Sequence, residues 1–283
     1  MILADIFLSI IGLVALLIAS ITDLRTKEVP DWLNFSVIVS ALGIRAIHSI
    51  ISSDYMYLLY GIIGFAAMFF LGMLLYYGRL WGGGDTKLLM GLGALFGTTP
   101  YFVMINYPFI AVLLINIIIV GSVYSLAFAI GLFIKNTKAT INEMKSQTKR
   151  MAKTRLAYLL ASFVALAMFF IFEDSRIKVL SIALAGFFIF YIHLLIFIRS
   201  VEKVGMNKVI LVSQLTEGDW IAKDIIINGK LICSKKSLGI EKKQIEAIKK
   251  AGIKRIMVKE GVAFVPSFLL GLVITFIFGS LIF

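Results

Sequence analysis

Long apolar runs separated by short polar stretches set the pattern of this chain. Runs near residues 5–22, 32–51, 56–77, 108–134, 155–172, 177–199 and 263–283 each approach the ~20 residues that a helix needs to cross a bilayer. A shorter run near 86–98 crosses only if it continues through Thr98-Thr99-Pro100-Tyr101-Phe102-Val103. The pattern predicts a polytopic α-helical membrane protein of about eight spans, six or seven if the shorter runs stop short. The first run lacks a basic segment before it and is followed by charged residues, so it is expected to be a retained helix rather than a cleaved signal.

One stretch breaks the pattern. Residues 203–261 alternate short β-type runs with a charged helix, predicting a small soluble α+β domain before the last helix. Lys208 to Ser213 reads as a strand. Asp224 to Cys233 reads as a hairpin, because Asn228-Gly229 supplies the φ > 0 pair of a type I′ turn. Glu241 to Ala251 reads as a helix with Ile245, Ile248 and Ala251 on one face and Gly252 at its C-cap. Ile253 to Lys259 closes the unit as a strand. The expected organisation is a helical membrane core over 1–200, the soluble domain over 203–261 and a final transmembrane helix over 262–283.

Composition agrees with a membrane protein: 60% of the 283 residues are hydrophobic, 16% are charged and mean hydropathy is +0.98. One Cys and two His exclude a disulfide framework and give no metal-ligand spacing. Neither metal nor cofactor is expected. Cys233 reads as a small buried hydrophobe, and His48 and His193 as packed helix residues.

The net charge of +12 is unevenly placed. With eight spans, 25 of the 28 Lys and Arg fall in the odd-numbered connections, and without the long last connection the bias is still 11 to 3. That side is expected to be cytoplasmic, with both termini outside. The charge is thus a topology signal with some attraction to anionic lipid, and no aromatic-interleaved basic surface argues for nucleic acid. Residues 135–155 read as a solvated cytoplasmic linker or lipid-surface helix. Trp32 and Trp81 fall at the cytoplasmic boundary as interfacial anchors, and Arg45 is placed to snorkel to the outer surface.

Chemistry concentrates in two short stretches. Gly82-Gly83-Gly84-Asp85, within Arg79–Lys87, combines glycines that permit close backbone approach with a carboxylate where an apolar run starts. Read blandly, it is an interfacial turn with Asp85 as N-cap. The other stretch, Asp23 to Asn34, follows the first run. Asp23 closes an inward run and Asp85 opens an outward one, so both carboxylates belong to the cytoplasmic surface. If they face each other, the pair shares a proton, one member activating water while the other donates to a peptide carbonyl. Lys87 either biases that ionisation or anchors to lipid phosphate. Glu28 and Asp31 either attract a basic substrate segment or are plain interface residues. No G-x-S-x-G, H-E-x-x-H or Walker sequence is present.

At these residues the chain resembles the GxGD aspartyl membrane proteases, specifically the type IV prepilin peptidases and archaeal preflagellin peptidases. Asp23-Leu24 followed by Val29-Pro30 and Leu33-Asn34 is similar to the family's first aspartate motif. Gly82-Gly83-Gly84-Asp85-Thr86-Lys87-Leu88-Leu89 is similar to its second. Gly261 to Leu270 is similar to its Pro-Phe-x-Pro-x-Phe entry to the final helix. The resemblance implies that Asp23 and Asp85 are the catalytic pair; Gly82, Gly83 and Gly84, read from the residues themselves, would let an extended substrate strand approach Asp85. It implies a substrate that is the leader of a pilin-like or archaellin precursor, cut at the cytoplasmic membrane face. The cysteine-rich insertion of bacterial members is missing, which implies peptidase activity without methyl transfer. The Pro-Ala-Leu motif of the presenilin branch is also missing. The rival from another class is an ion-coupled transporter using the same carboxylates. Transporters place such groups near the midplane between repeated halves, and no repeat is detected here. A non-catalytic membrane scaffold is the remaining alternative.

Overall fold

The computed structural model describes residues 2–281. The chain divides into two compact units, residues 1–126 with 261–283 and residues 127–260. Among the described residues six helices are long and apolar enough to cross a membrane: α1 (Ile2–Thr26), α2 (Asp31–Ser52), α3 (Tyr55–Tyr77), α5 (Phe109–Lys135), α7 (Ala152–Ile171) and α8 (Ser175–Val201), the last prolonged by a π turn to Met206. The runs near 86–98 and 263–283 form shorter helices, α4 (Gly83–Leu95) and α10 (Val265–Phe278).

In the first unit α4 is enclosed. Leu88, Leu89, Met90, Leu92, Ala94 and Leu95 are all buried, which is how a helix apolar on every side must sit. Glycines bring α3 against it: a Cβ added at Gly64 would overlap the Gly93 carbonyl oxygen, and one at Gly93 the Gly64 oxygen.

Arg45 does not snorkel. It is fully buried and its guanidinium donates to Ala94 O (2.9 Å), Leu95 O (2.7 Å), Tyr57 O (2.8 Å) and Thr98 Oγ1 (3.1 Å). Two of these are carbonyls that the end of α4 leaves without helical partners, so Arg45 caps α4. Beyond it Tyr101 N–H donates to Asp5 Oδ2 over 3.1 Å, while Tyr57 OH donates to Asp5 Oδ1 over 2.6 Å. The stretch from Thr86 to Tyr101 therefore runs from the Asp23 end of α1 to its Asp5 end, although the helix within it has only 13 residues. α10 makes the same journey, from Val265 beside Asp23 to Gly279, whose carbonyl accepts from Asn116 Nδ2 over 2.7 Å. His48 packs edge-on against Tyr57 at 4.7 Å.

In the second unit α7 and α8 pair through Ser162 Oγ, which donates to Ala185 O over 3.0 Å. The basic helix α6 (Thr137–Arg150) is tied to the π turn by Lys203 and Glu143 at 2.7 Å. His193 is not a packed residue: it lies on an exposed face of α8, against Ile189 O of its own helix.

The strands form a three-stranded antiparallel sheet, ordered β1 (Asn207–Leu211), β5 (Arg255–Lys259), β2 (Trp220–Ile221), and a hairpin of β3 (Ile225–Ile227) with β4 (Lys230–Cys233). Asn228 and Gly229 take φ 50° and 76°, as the turn requires. Ile245 and Ile248 of α9 (Lys242–Lys250) are buried with Cys233, Ile256 and Val258. Ala251 is the C-cap and is exposed, not a core residue.

Candidate active site

Asp23 lies in the last turn of α1 and is 5% exposed. Its carbonyl accepts from Lys27 N–H over 2.9 Å, and Lys27 ends the helix at φ 61°, a left-handed C-terminal cap. The chain then turns through Val29 and Pro30. Pro30 is the N-cap of α2, and its carbonyl accepts from the amides of Leu33 and Asn34. Val29 is buried against the glycine motif: a Cβ on Gly84 would lie 3.1 Å from Val29 Cβ. The closest approach at Gly84 is thus to the protein's own first loop.

Asp85 sits in the first turn of α4, just before the apolar stretch begins. The N-cap is Gly82, not Asp85. The Asp85 carboxylate reaches back to accept from Gly82 N–H over 3.3 Å, and Thr86 Oγ1 donates to Gly82 O over 3.0 Å. Burial pushes the Asp85 carboxyl up to about 7, the negative charge of Asp23 adds in the same direction, and the Gly82 amide opposes. The two carboxylates thus lie within electrostatic reach of each other.

The third motif holds Asp23 from the other side. Val265 N–H, at the start of α10, donates to Asp23 Oδ2 over 2.9 Å. Positive charge at a helix N-terminus favours a carboxylate there, and Pro266 occupies a first-turn position that suits it. Phe264 and Phe268 pack on Trp81 with ring centroids 5.6 and 5.1 Å away. Trp81 is therefore turned into the bundle to bridge the glycine motif and α10, rather than anchoring in lipid. Trp32, by contrast, is 62% exposed. Asp23's charge also reaches Tyr124 on α5. Neither Val265 as a donor nor Tyr124 carries a signal of this in the sequence.

The remaining candidates lie at the rim. Lys87 Nζ pairs with Asp31 Oδ1 at 2.6 Å, both side chains more than a third exposed, and lies over the Phe35 ring. Glu28 is exposed. A Cβ on Gly83 would make ordinary contact with the Tyr76 ring, at 3.7 Å. Among the described residues no group of three or more His, Cys, Asp or Glu comes together.

Residues 10–130, which include both carboxylates, match the model of the type IV leader peptidase family. The preflagellin peptidase of Methanocaldococcus jannaschii is 35% identical over 147 residues, 50% of this chain and 61% of that protein. The preflagellin peptidase of Methanococcus maripaludis is 36% identical over 124 residues, 44% of this chain and 52% of that protein. The prepilin peptidase EppA of Methanothermobacter thermautotrophicus is 27% identical over 188 residues, 62% of this chain and 49% of that protein. The chain thus spans about half to three fifths of the length of these relatives. No solved structure is a significant match.

Proposed function

Because residues 10–130 match the model of the type IV leader peptidase family, we propose that this protein is a membrane aspartyl endopeptidase in which Asp23 and Asp85 activate water. It removes the N-terminal leader from pilin-like or archaellin precursors, the substrate class that its relatives' names carry. The observation that carries this reading is the mutual placement of the carboxylates. Asp23 is buried and held by the Val265 amide, and its charge reaches Asp85 on the neighbouring helix.

In the resting pair one proton is shared. The ionised carboxylate takes a proton from water, and the hydroxyl adds to the scissile carbonyl carbon. The protonated carboxyl gives its proton to the carbonyl oxygen. Collapse of the tetrahedral species breaks the C–N bond, with a proton returned to the leaving amine. The proton belongs to the pair, so neither residue is singled out as acid or base. Gly82 and Gly83 leave room for an extended substrate strand, while Glu28, Asp31 and Lys87 form the polar rim facing its basic segment. The weight of Lys and Arg in the odd-numbered connections supports a cytoplasmic position for this rim.

The test is to incubate the purified full chain with a leader peptide and weigh the fragments. Asp23→Asn and Asp85→Asn should each abolish cleavage without loss of fold. Normal turnover by either variant refutes the pair. Absence of cleavage together with Asp-dependent solute accumulation in vesicles would favour a transporter instead.

A further inference from the structure

At the polar end of the α7–α8 pair, Arg155 and Arg199 stand without an anionic partner. Met151, Arg155, Tyr158 and Ser162 recur along α7 at the spacing of one helix face. That face meets α8. Ser162 Oγ donates to Ala185 O, the Tyr158 ring lies 5.3 Å from that of Tyr191, and Met151 Sδ accepts from Arg199 Nη1 over 3.3 Å. Arg155 thus sits between Met151 and Tyr158 on the side turned to α8, and Arg199 lies on the facing helix, beyond Tyr191 toward the same end. Neither makes an ion pair among the described residues. The bond that Arg199 makes ends on a thioether, a weak acceptor. Arg155 Nε is enclosed and meets no acceptor, but the residue as a whole is only half-buried and Arg199 is exposed. A ligand would touch the outer parts of the two groups.

The carboxylates nearest along the chain are already engaged. Both oxygens of Glu143 accept from Lys203 Nζ at 2.7 Å, and Glu202 pairs with Lys259 at 2.8 Å. Glu173 and Asp174 belong to the turn at the opposite end of the pair. Lys149, Arg150 and Lys153 add further positive charge at the start of α7. Like charges on facing helices repel unless an opposite charge joins them. The apolar stretch of α7 begins at Leu156 and that of α8 ends at Ile198, so both guanidinium groups lie at the level where headgroups meet a membrane helix. Leu156 and Ile198, next to them, are exposed apolar surface.

We propose that Arg155 and Arg199 form a site for a phosphate group, supplied by the headgroup of an anionic phospholipid whose acyl chains run down the apolar surface of α7 and α8. A planar guanidinium donates paired N–H bonds to phosphate oxygens, a match that a thioether cannot offer. The lipid fastens the two helices at their polar end. Unlike the diffuse attraction that net charge confers, this is a defined site, and it does not depend on the Asp23–Asp85 reading.

The test uses the full chain in detergent, stripped of lipid and titrated with phosphatidylglycerol, phosphatidylcholine or inorganic phosphate. Native mass spectrometry and the thermal midpoint are the readouts. Phosphatidylglycerol should stay bound as a single tight adduct and raise the midpoint. Phosphatidylcholine, whose headgroup carries its own cation, should bind about tenfold more weakly. The double variant Arg155→Gln/Arg199→Gln should lose both adduct and rise while its lipid-free midpoint stays at the wild-type value. Lys249→Gln/Lys250→Gln, which removes the same charge from exposed positions on α9, should keep both. Equal losses in the two double variants overturn the inference, because net charge alone would then explain binding. Equal retention of the two lipids overturns it as well. So does a midpoint rise given by inorganic phosphate but by neither lipid, or a lipid-free midpoint lowered in the arginine variant.

Discussion

The backbone amide of Val265 donates to the Asp23 carboxylate over 2.9 Å, joining residues 242 positions apart. One end of the last helix is thereby fastened to the last turn of the first. The aromatic trio of Trp81, Phe264 and Phe268 supports the same join from the glycine motif.

Phe268 is fully buried under Trp81. Phe268→Ala should cost about 3 kcal/mol of stability, and activity should drop because Val265 loses its register on Asp23. Thermal denaturation in detergent and a cleavage assay check both. Phe268→Leu should recover most of each.

The Asp85 carboxyl, raised from 3.8 to about 7, makes a pH prediction. Between these values the unfolded chain has lost the proton that the folded chain keeps, so stability falls as pH rises through this window. Asp85→Asn should therefore raise the thermal midpoint at pH 8 and leave it nearly unchanged at pH 4. Cleavage by the wild type should decline above about pH 7 as the shared proton is lost. A midpoint gap that is equal at both pH values would refute the assignment.

Arg45→Met should destabilise by about 3 kcal/mol or more, because carbonyls at the end of α4 lose their donor inside the bundle. Arg45→Lys should rescue little, since an ammonium lacks the planar fork that reaches Ala94, Leu95 and Tyr57 together. Thermal midpoints of the two variants decide it.

Gly93→Ala should cost about 2 kcal/mol, since the new methyl overlaps the Gly64 carbonyl. Gly43→Ala on α2 is the control: nothing lies within 4 Å of its Cβ position, and no loss is expected. Equal effects in the two variants would refute the close α3–α4 packing.

Local signals were legible in the sequence and long-range ones were not. The hairpin at Asn228-Gly229 needs only two adjacent residues with φ > 0, and it appears where it was read. The two aspartates stand out because each sits in a compact motif at the end of an apolar run. Arg45 was misread because its position along α2 says nothing of which face α2 buries, and that face depends on α4 some fifty residues later. By its sequence position Trp81 reads as a lipid anchor for the same reason: its partners, Phe264 and Phe268, come from the far end of the chain. Val265 carried no signal, because the donor is a peptide N–H that every residue but proline possesses.

The enclosure of Arg45 bears on how the protein is made. When α2 leaves the ribosome its guanidinium has only the carbonyl of Tyr57, 12 residues on, within early reach. The carbonyls of Ala94 and Leu95 are synthesised about fifty residues later. A charge in hydrocarbon is too costly to wait there alone. Arg45 therefore gains its full set of acceptors only once α4 has packed, and α2 and α4 are expected to become stable together.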